Sequence, residues 1–363
     1  MMLDNCDGIR NRKPRRHEGG EGPRRFLFPN PKTFAALRFL CPFAVCVSGS
    51  IVACDPEVPN TCVAPPGSDI VDPCGGSFDG GIGALPGTPD AGQVPTGDVQ
   101  ADGGTVDRLW FATTGDTRPA QCDQTDQYPK AAIAQIATAM KALRVQFTVD
   151  LGDHMYVCNQ SDAEAQQQMG FYMTGIASGP STWWMTMGNH ECGSNKYPYS
   201  CFVSGAHDAN FSAYMAALQR PQPYYFTDVI TSQGLARFVM VADDAWDLTQ
   251  SAWLSSLLSD ADAHAKYTIV SRHHPVQGTR TGAADILSIL QQHKYTLVLT
   301  AHNHDYEHDT TSWNSRSTVV GLGGAGGHWG FATVLQNLDG TLTFVERDAN
   351  GNPIGQAWSV SPQ

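Results

Sequence analysis

The chain has 363 residues, of which 41% are hydrophobic and 16% charged, and its formal net charge is -12. This composition excludes collagen, a coiled coil and a wholly disordered chain, and the acidic balance argues against nucleic-acid binding through a basic face. The length suits one large domain with an appendage, or two small domains.

The net charge of the chain is negative, but its N-terminal segment is basic. Residues 1–38 carry nine Lys and Arg against four Asp and Glu, whereas the chain from Cys54 onward carries 14 against 31. An apolar run of 15 residues, FLCPFAVCVSGSIVA, follows Arg38 and ends at Ala53. A membrane-spanning helix needs about 20 apolar residues, so the run is typical of the core of a signal peptide. We therefore expect residues 1–53 to be a signal peptide that directs export.

The run closes on Ile51-Val52-Ala53-Cys54, which resembles the lipobox of bacterial lipoproteins, whose cysteine becomes the lipidated first residue. The resemblance implies a membrane-anchored lipoprotein in the periplasm or at the cell surface, with a lipid on Cys54 as its membrane contact. Plain secretion with an unmodified Cys54, and an uncleaved anchor, are the alternatives.

Residues 54–107 are predicted to be a disordered, acidic linker. Pro and Gly make up 19 of residues 55–107, Lys and Arg are absent there, and Phe78 is the only aromatic residue. Such a segment buries too little apolar surface to offset the entropy lost on ordering. We expect a flexible tether, followed by one folded domain over residues 108–363.

Six cysteines lie beyond Cys54, and an even number in an exported chain indicates disulfides. No two of them form a CxxC pair, which argues against a thiolate zinc site. The connectivity is not fixed by the sequence alone. The predicted pairs are Cys62–Cys74, Cys122–Cys158 and Cys192–Cys201.

Strand-like and helix-like segments alternate over residues 108–363. In chain order they are a strand at 108–115, a helix at 129–143, a strand at 145–153, a helix at 161–177, a strand at 183–190, a hairpin at 224–231 and 236–243, a helix at 249–265, strands at 266–275 and 295–304, and β-rich sequence. The residues expected on the buried side of the helix at 249–265 are Leu248, Trp253, Leu254 and Leu257. Parallel units first and antiparallel strands later predict a mixed α/β sandwich with one core.

Polar side chains follow five of these strands, at the points where the strands end. The motifs are Gly115-Asp116, Gly152-Asp153-His154-Met155-Tyr156, Gly188-Asn189-His190-Glu191, His273-His274-Pro275 and Ala301-His302-Asn303-His304. Ligand-binding and catalytic groups of open α/β sheets gather outside the carboxyl ends of strands. Each motif alone has an ordinary explanation as a turn or a polar loop. The presence of all five motifs in this order, each after a strand, predicts a site for two metal ions.

The residue types fit two cations about 3.5–4 Å apart that polarise a phosphate ester. A carboxylate on a tight strand-end loop can bridge the ions, while neutral imidazoles and an amide oxygen complete their coordination. A water on an open position becomes a hydroxide nucleophile as its pKa falls.

Together the motifs resemble those of the calcineurin-like metallophosphoesterase superfamily, whose pattern is an Asp loop, GDxx, GNH(D/E), a His before x-Pro, and GHxH. The resemblance covers most of residues 108–345, and Gly321–Gly327 is similar to the family's glycine-rich strand exit. It implies an α/β fold, a four-layer α-β-β-α sandwich of two mixed sheets. The chain departs from the pattern at Arg118, where the family commonly has the His of DxH, and at Ala301, which replaces a Gly.

The GDHMY block is similar to the GDxxY of purple acid phosphatases, in which a tyrosinate replaces the missing His and favours Fe(III). The resemblance is therefore closest to that branch, and it implies Tyr156 as the replacement ligand. The alternative is a Tyr buried near the site with its hydroxyl hydrogen-bonded. The implied cofactors are two metal ions, Fe paired with Zn, Mn or a second Fe.

The resemblance also assigns roles to individual residues. The ligands of the first metal ion would be Asp116, Asp153, Tyr156 and His304, and those of the second Asp153, Asn189, His273 and His302. His190 would stabilise the phosphate or protonate the leaving oxygen, and Glu191 would orient His190. Arg118 and His274 would contact phosphate or lie on a solvated rim. The histidines without a matched role, expected to be structural or exposed, are His154, His207, His293, His308 and His328.

The predicted function is an exported phosphate-ester hydrolase with a binuclear metal centre and a metal-bound hydroxide nucleophile, acting on monoesters as an acid phosphatase does. A phosphodiesterase using the same site is one alternative. A non-catalytic surface lipoprotein that binds phosphate or metal is the alternative from another class, and the loss of DxH is its support. We expect a small phosphate-ester substrate, no nucleic-acid partner and a monomer.

Overall fold

A computed structural model describes residues 87–89, 93–192, 201, 208–275, 282–309, 316–320 and 328–362. The predicted signal peptide, Cys54, the Cys62–Cys74 pair, His207 and Gly321–Gly327 lie outside the described residues. Within those ranges, no helix is both long enough and apolar enough to cross a membrane.

The described residues form fourteen strands and five helices. The strands are β1 Gly97–Gln100, β2 Gly103–Val106, β3 Trp110–Thr114, β4 Phe147–Asp150, β5 Trp183–Met185, β6 Tyr225–Thr231, β7 Gly234–Met240, β8 Tyr267–Ser271, β9 Leu297–Thr300, β10 Tyr306–Asp309, β11 Ser317–Val320, β12 Gly330–Gln336, β13 Leu342–Asp348 and β14 Trp358–Val360. The helices are α1 Lys130–Ala142, α2 Asp162–Ile176, α3 Ala209–Leu218, α4 Leu248–His264 and α5 Ala283–Leu290.

Two mixed β-sheets contain these strands. One has eight strands in the order β1-β2-β6-β7-β8-β9-β11-β10, and the other has six in the order β14-β13-β12-β3-β4-β5. Parallel pairing joins β7, β8, β9 and β11 in the first sheet and β3, β4 and β5 in the second. The strands β12, β13 and β14 are antiparallel. The predicted mixture of parallel and antiparallel strands is thus confirmed.

Side chains from both sheets meet in a central core. Its aromatic cluster comprises Phe111, Phe147, Trp184 and Phe238, with ring centroids 4.5–5.2 Å apart. Burying each such side chain stabilises the fold by about 1.5–3 kcal/mol. Apolar side chains of α4 and α5 cover the outer face of the eight-stranded sheet, and those of α1 and α2 cover the six-stranded sheet. The predicted four-layer α-β-β-α sandwich is confirmed.

Helix α4 shows how the apolar pattern sets the buried face. Asp247 caps the helix by accepting a hydrogen bond from the N–H of Gln250, and the buried stripe contains Gln250, Leu254 and Leu257. Leu248, which was expected on this side, is 89% exposed. It precedes Gln250 by two residues, and two residues turn a helix by about 200°. Leu248 therefore lies on the opposite face.

A hairpin of β1 and β2 lies within the segment predicted as linker. Val99 and Val106 are buried, and β2 pairs in parallel with β6. Thr182 donates a hydrogen bond to the carbonyl of Val99, and the indole N–H of Trp184 donates to Ala101. Ordering needs little apolar surface here because an existing sheet edge supplies the backbone partners. The folded part therefore begins before residue 108.

Two disulfides fasten the loops that follow the site strands. They join Cys122 to Cys158 and Cys192 to Cys201, with Cα atoms 5.7 and 4.9 Å apart, as predicted. The first links the loop after β3 to the loop after β4. The second begins directly after Glu191.

Candidate metal centre

The predicted site residues meet where strands from both sheets end. Loops after β3, β4 and β5 contribute from the six-stranded sheet, and loops after β8 and β9 from the eight-stranded sheet. Because parallel strands end at the same edge, their exit loops converge. The side chains brought together there are Asp116, Asp153, Asn189, His190, His273, His302 and His304.

Four of these residues have left-handed backbone conformations. The φ angles are 58° at Asp116, 61° at Asp153, 73° at His302 and 55° at His304. Such conformations cost a non-glycine residue about 1 kcal/mol or more and occur where surrounding contacts hold the backbone. At Asp116 one such contact is the hydrogen bond from its N–H to the carbonyl of Gly152, at 2.9 Å.

Two glycines allow the Asp153 loop and the Asn189 loop to touch. A Cβ on Gly188 would lie 2.3 Å from Oδ1 of Asp153 and 2.4 Å from its backbone nitrogen. Gly152 has a φ of 96°, and a Cβ there would lie 2.4 Å from the nitrogen of Gly188. A side chain at either position would force the loops apart.

The atoms able to bind a metal ion lie close together. One ligand atom each from Asp116, Asp153 and His273 lies within 4.8 Å of the others. Nε2 of His273 is 3.4 Å from Oδ2 of Asp153, and Nε2 of His304 is 3.9 Å from Oδ1 of Asp116. Nδ1 of His302 is 3.3 Å from Nε2 of His273. Ligands that share one ion are separated by such distances.

Asp116 provides the test of whether a cation fits. Both carboxylate oxygens are buried, and neither has a hydrogen-bond partner in the part of the chain that the structure describes. Burial raises the pKa of Asp116, and the nearby His273 lowers it in part. The resulting pKa is about 6. A buried carboxylate without partners is costly unless a cation balances it. The carboxylates, imidazoles and amide nearby are ligands that Zn, Mn and Fe accept, so the residues fit a metal centre.

The charges in the cluster are strongly coupled. Burial alone would lower the pKa of His273, but the carboxylates of Asp153 and Asp116 raise it to about 10. Burial would raise the pKa of Asp153, but His273 and His190 hold it well below its usual range. Without a metal ion, an imidazolium at His273 therefore balances Asp153. Metal binding to His273 must release that proton.

Arg118 lies inside the cluster rather than on a solvated rim. The side chain is 8% exposed, and its Nε donates to Oδ2 of Asp153 at 3.3 Å. Nη2 donates to Nε2 of His304 at 3.1 Å, and Nη1 donates to the carbonyl of Pro119. Its contact with phosphate stays a prediction.

Tyr156 lies beside the cluster and is half-buried. Its ring centroid is 4.0 Å from that of His190 and 4.6 Å from Cζ of Arg118. The backbone N–H of Tyr156 donates to Oε1 of Gln168 on α2. Tyr156 therefore lies next to His190 and Arg118, and its role as a metal ligand stays a prediction.

Glu191 joins two loops of the site, and its predicted role of orienting His190 stays a prediction. Its carboxylate accepts the backbone N–H groups of Gly188, Asp153 and His154 at 2.6, 3.0 and 2.7 Å. Since these residues belong to two loops, the buried carboxylate holds the loops together. Such partners arise from the approach of the loops, which the local sequence does not reveal.

His154, which has no role in the sequence prediction, is the centre of a buried polar network. Its Nε2 lies 2.6 Å from Oδ1 of Asp150, and its Nδ1 lies 3.2 Å from Oε1 of Glu191. Tyr172 donates to the other oxygen of Asp150 at 2.8 Å. Burial opposes the charge, but the two carboxylates raise the pKa of His154 to about 10. Strand periodicity could not have found this pair, because the chain turns between Asp150 and His154, with positive φ angles at Gly152 and Asp153.

A second buried network surrounds His274. Its Nε2 lies 2.8 Å from Oδ2 of Asp244, and its backbone N–H donates to Asp243, which also accepts from Nε of Arg272. The ring centroid of His274 is 4.3 Å from that of His302. Because His274 is 1% exposed, it is not a rim residue, and its phosphate contact stays a prediction. The strand-exit rule, applied to β7, would have found Asp243 and Asp244.

Three other histidines have contacts or exposure outside the proposed ligand set. His293 pairs with Asp262 at 2.8 Å, His308 stacks on Trp358 with ring centroids 3.7 Å apart, and His328 is exposed. These contacts agree with structural or surface roles.

Comparison with known proteins gives one family and a few relatives. The calcineurin-like phosphoesterase profile matches residues 96–306. Tartrate-resistant acid phosphatase type 5 from Sus scrofa is 26% identical in an alignment of 205 residues that covers 48% of this chain and 57% of that protein. The chain thus spans little more than half the length of this relative.

Two solved structures are similar at low sequence identity. A purple acid phosphatase from yellow lupin (Lupinus luteus) seeds matches with a TM-score of 0.51 and 14% identity, over 70% of this chain and 54% of that one. A dimetal phosphatase from Danio rerio matches with a TM-score of 0.49 and 15% identity, over 70% of this chain and 99% of that one. The likeness to the lupin structure supports the fold.

Proposed function

Because the chain belongs to the calcineurin-like phosphoesterase family, whose profile spans more than half of it, we propose that it is an exported, metal-dependent hydrolase of phosphate monoesters. One observation carries the proposal. Asp116, Asp153 and His273 converge at the strand ends, and both oxygens of Asp116 are buried without a hydrogen-bond partner among the described residues. A cation at this point balances the charge of the carboxylates. It also supplies the Lewis acid that polarises a phosphate ester in metal-dependent hydrolysis.

The proposed centre holds two ions, Fe with Zn, Mn or a second Fe. The first ion would be held by Asp116, Asp153, Tyr156 and His304, and the second by Asp153, Asn189, His273 and His302. When bound, the ions supply an activated water and stabilise the charge that develops on the phosphate. The three imidazoles and the buried Asn189 are neutral ligands, so they leave the net charge of the centre positive enough to attract an anion.

His190 is the proposed contact to the phosphate. Burial, only partly offset by Asp153, lowers the pKa of His190 to about 4, so the imidazole is neutral near pH 7. Its Nε2 lies 3.7 Å from Oδ2 of Asp153, and 13% of the side chain is exposed. A neutral N–H at the open side of the cluster can donate to a phosphate oxygen. This protonation state favours hydrogen bonding over proton transfer to the leaving oxygen.

The proposed preference for monoesters is supported by similarity to other proteins and not by a contact within the site. The GDHMY block is similar to the purple acid phosphatase pattern, and the porcine relative is an acid phosphatase. Two disulfides in the described domain favour an oxidising compartment, which supports export. A lipid on Cys54 would then be the membrane contact, with a small phosphate ester as substrate.

The test measures hydrolysis of p-nitrophenyl phosphate and bis-p-nitrophenyl phosphate by the full chain. Each assay is run in the presence of a chelator and again after Fe, Zn or Mn has been added back. We expect metal-dependent turnover with a preference for the monoester. Asn189→Ala should abolish turnover, whereas Asn350→Ala, a surface variant with the same change, should not.

Two results would contradict the proposal. Preference for the diester would indicate a phosphodiesterase on the same site. No turnover of either substrate by a chain that binds the metal ions would indicate a binding protein.

A further inference from the structure

The guanidinium of Arg118 lies among the ligands proposed for the first metal ion. Nη2 donates to Nε2 of His304 at 3.1 Å, and Nε donates to Oδ2 of Asp153 at 3.3 Å. Cζ lies 4.6 Å from the ring centroid of Tyr156. Arg118 thus contacts three of the four side chains that the proposed function gives to the first ion.

The contact with His304 excludes simultaneous metal binding. A guanidinium has only donors, so Nε2 of His304 must accept the hydrogen bond with its single lone pair. A metal ion would bind through the same lone pair, at about 2.0–2.1 Å. The first ion therefore reaches His304 only after the hydrogen bond from Arg118 breaks.

The charge of Arg118 also opposes the first ion. The guanidinium stays protonated, and it forms an ion pair with Asp153, the carboxylate proposed to bridge both ions. A cation at contact distance would be repelled by the guanidinium and would share a carboxylate that already has a partner. Both effects weaken binding at the first position.

Three of the ligands proposed for the second ion are not partners of Arg118. Nδ1 of His302 lies 2.9 Å from Oδ1 of Asn189 and 3.3 Å from Nε2 of His273. The hydrogen bonds of Arg118 go to Asp153, His304 and Pro119. Arg118 therefore acts mainly on the first position, and it reaches the second through the shared Asp153.

On the basis of the proposed function, we propose that Arg118 takes the place of the first metal ion in the metal-free chain and competes with that ion for His304 and Asp153. The two ions then bind with separate affinities, and Arg118 lowers the affinity of the first position more than that of the second. Metal supply decides whether the centre holds one ion or two.

The experiment titrates the full chain with Zn²⁺, followed by calorimetry and by elemental analysis of bound metal. His302→Ala disables the second position and His304→Ala the first, so each affinity is measured alone. Adding Arg118→Gly should tighten Zn²⁺ binding to the His302→Ala chain at least about tenfold. It should tighten binding to the His304→Ala chain much less, because Arg118 reaches the second position only through Asp153.

Two more variants control for charge and folding. Arg144→Gly removes the same charge before β4, at the opposite end from Asp153 and at a φ of 58° that suits glycine, and should change neither affinity. Arg118→His restores the DxH block and should tighten the first position even if the glycine variant does not fold.

Unchanged affinity at the first position in both Arg118 variants would overturn the inference while leaving the metal centre intact. Absence of Zn²⁺ binding in the wild-type chain and every variant would refute the metal centre, and the inference with it.

Discussion

Replacing His154 should destabilise the fold more than any other histidine substitution away from the metal ligands. His154→Gln leaves the buried carboxylates of Asp150 and Glu191 without the cation between them. Removing one partner from a buried ion pair costs about 3–5 kcal/mol. The pKa of His154, raised from 6.5 to about 10 against the effect of burial, gives a stabilisation of similar size at about 1.4 kcal/mol per unit.

The pH dependence follows from the direction of this shift. Because the pKa of His154 is higher in the folded chain than in the unfolded chain, its stabilisation is complete below about pH 6.5. It is lost as pH rises through about 10. The difference in free energy of unfolding between the wild type and His154→Gln should therefore shrink by about 1.4 kcal/mol per pH unit over this window.

The assay is urea unfolding of the metal-free chain with its disulfides intact, at pH 6 and at pH 10. His264→Gln is the matched control, because His264 and Asp260 form the same i, i+4 pair on an exposed helix surface. That variant should leave stability unchanged. The reasoning is refuted if His154→Gln is within about 1 kcal/mol of the wild type at pH 6, or if the difference persists at pH 10.

Other substitutions test the site itself. His190→Ala should lower kcat about 100-fold or more, because the imidazole of His190 is proposed to contact phosphate. The metal content should stay unchanged. A loss of metal in elemental analysis would show that His190 is a metal ligand instead. Gly188→Ala should reduce metal content and activity together, since its Cβ would lie 2.3 Å from Oδ1 of Asp153, and full metal content would contradict the loop contact. The Cys122→Ser, Cys158→Ser double variant should lose about 4 kcal/mol in urea unfolding, because the disulfide spans 36 residues; unchanged stability would exclude that entropic contribution.

The sequence was sufficient where a property is local. The strand ends that carry Asp116, Asp153 and His273 follow from apolar runs and their polar exits. Parallel pairing of β3 with β4 brings the two aspartates together, and packing of the two sheets brings His273 to them. The two described disulfides were also predicted correctly.

Properties that depend on distant partners were not predictable in this way. The hairpin at 97–106 is ordered because β6 pairs with it, although the composition of the segment alone indicates a linker. Glu191 accepts hydrogen bonds from a loop about forty residues earlier in the chain, and Gly188 allows that approach. Leu248 was predicted wrongly to be buried, because it lies about 200° around α4 from Gln250 on the buried stripe.

The left-handed backbone at Asp116, Asp153, His302 and His304 has a consequence for laboratory evolution. Glycine or asparagine adopts this conformation with less strain. At Asp116, whose carboxylate oxygens have no hydrogen-bond partner among the described residues, either substitution would make the chain more heat-tolerant in a screen blind to turnover. Variants recovered from such a screen would carry a change at this proposed ligand and lose the metal centre. Selection for thermal tolerance in this protein must therefore be coupled to selection for turnover, because the two objectives compete at the same residue.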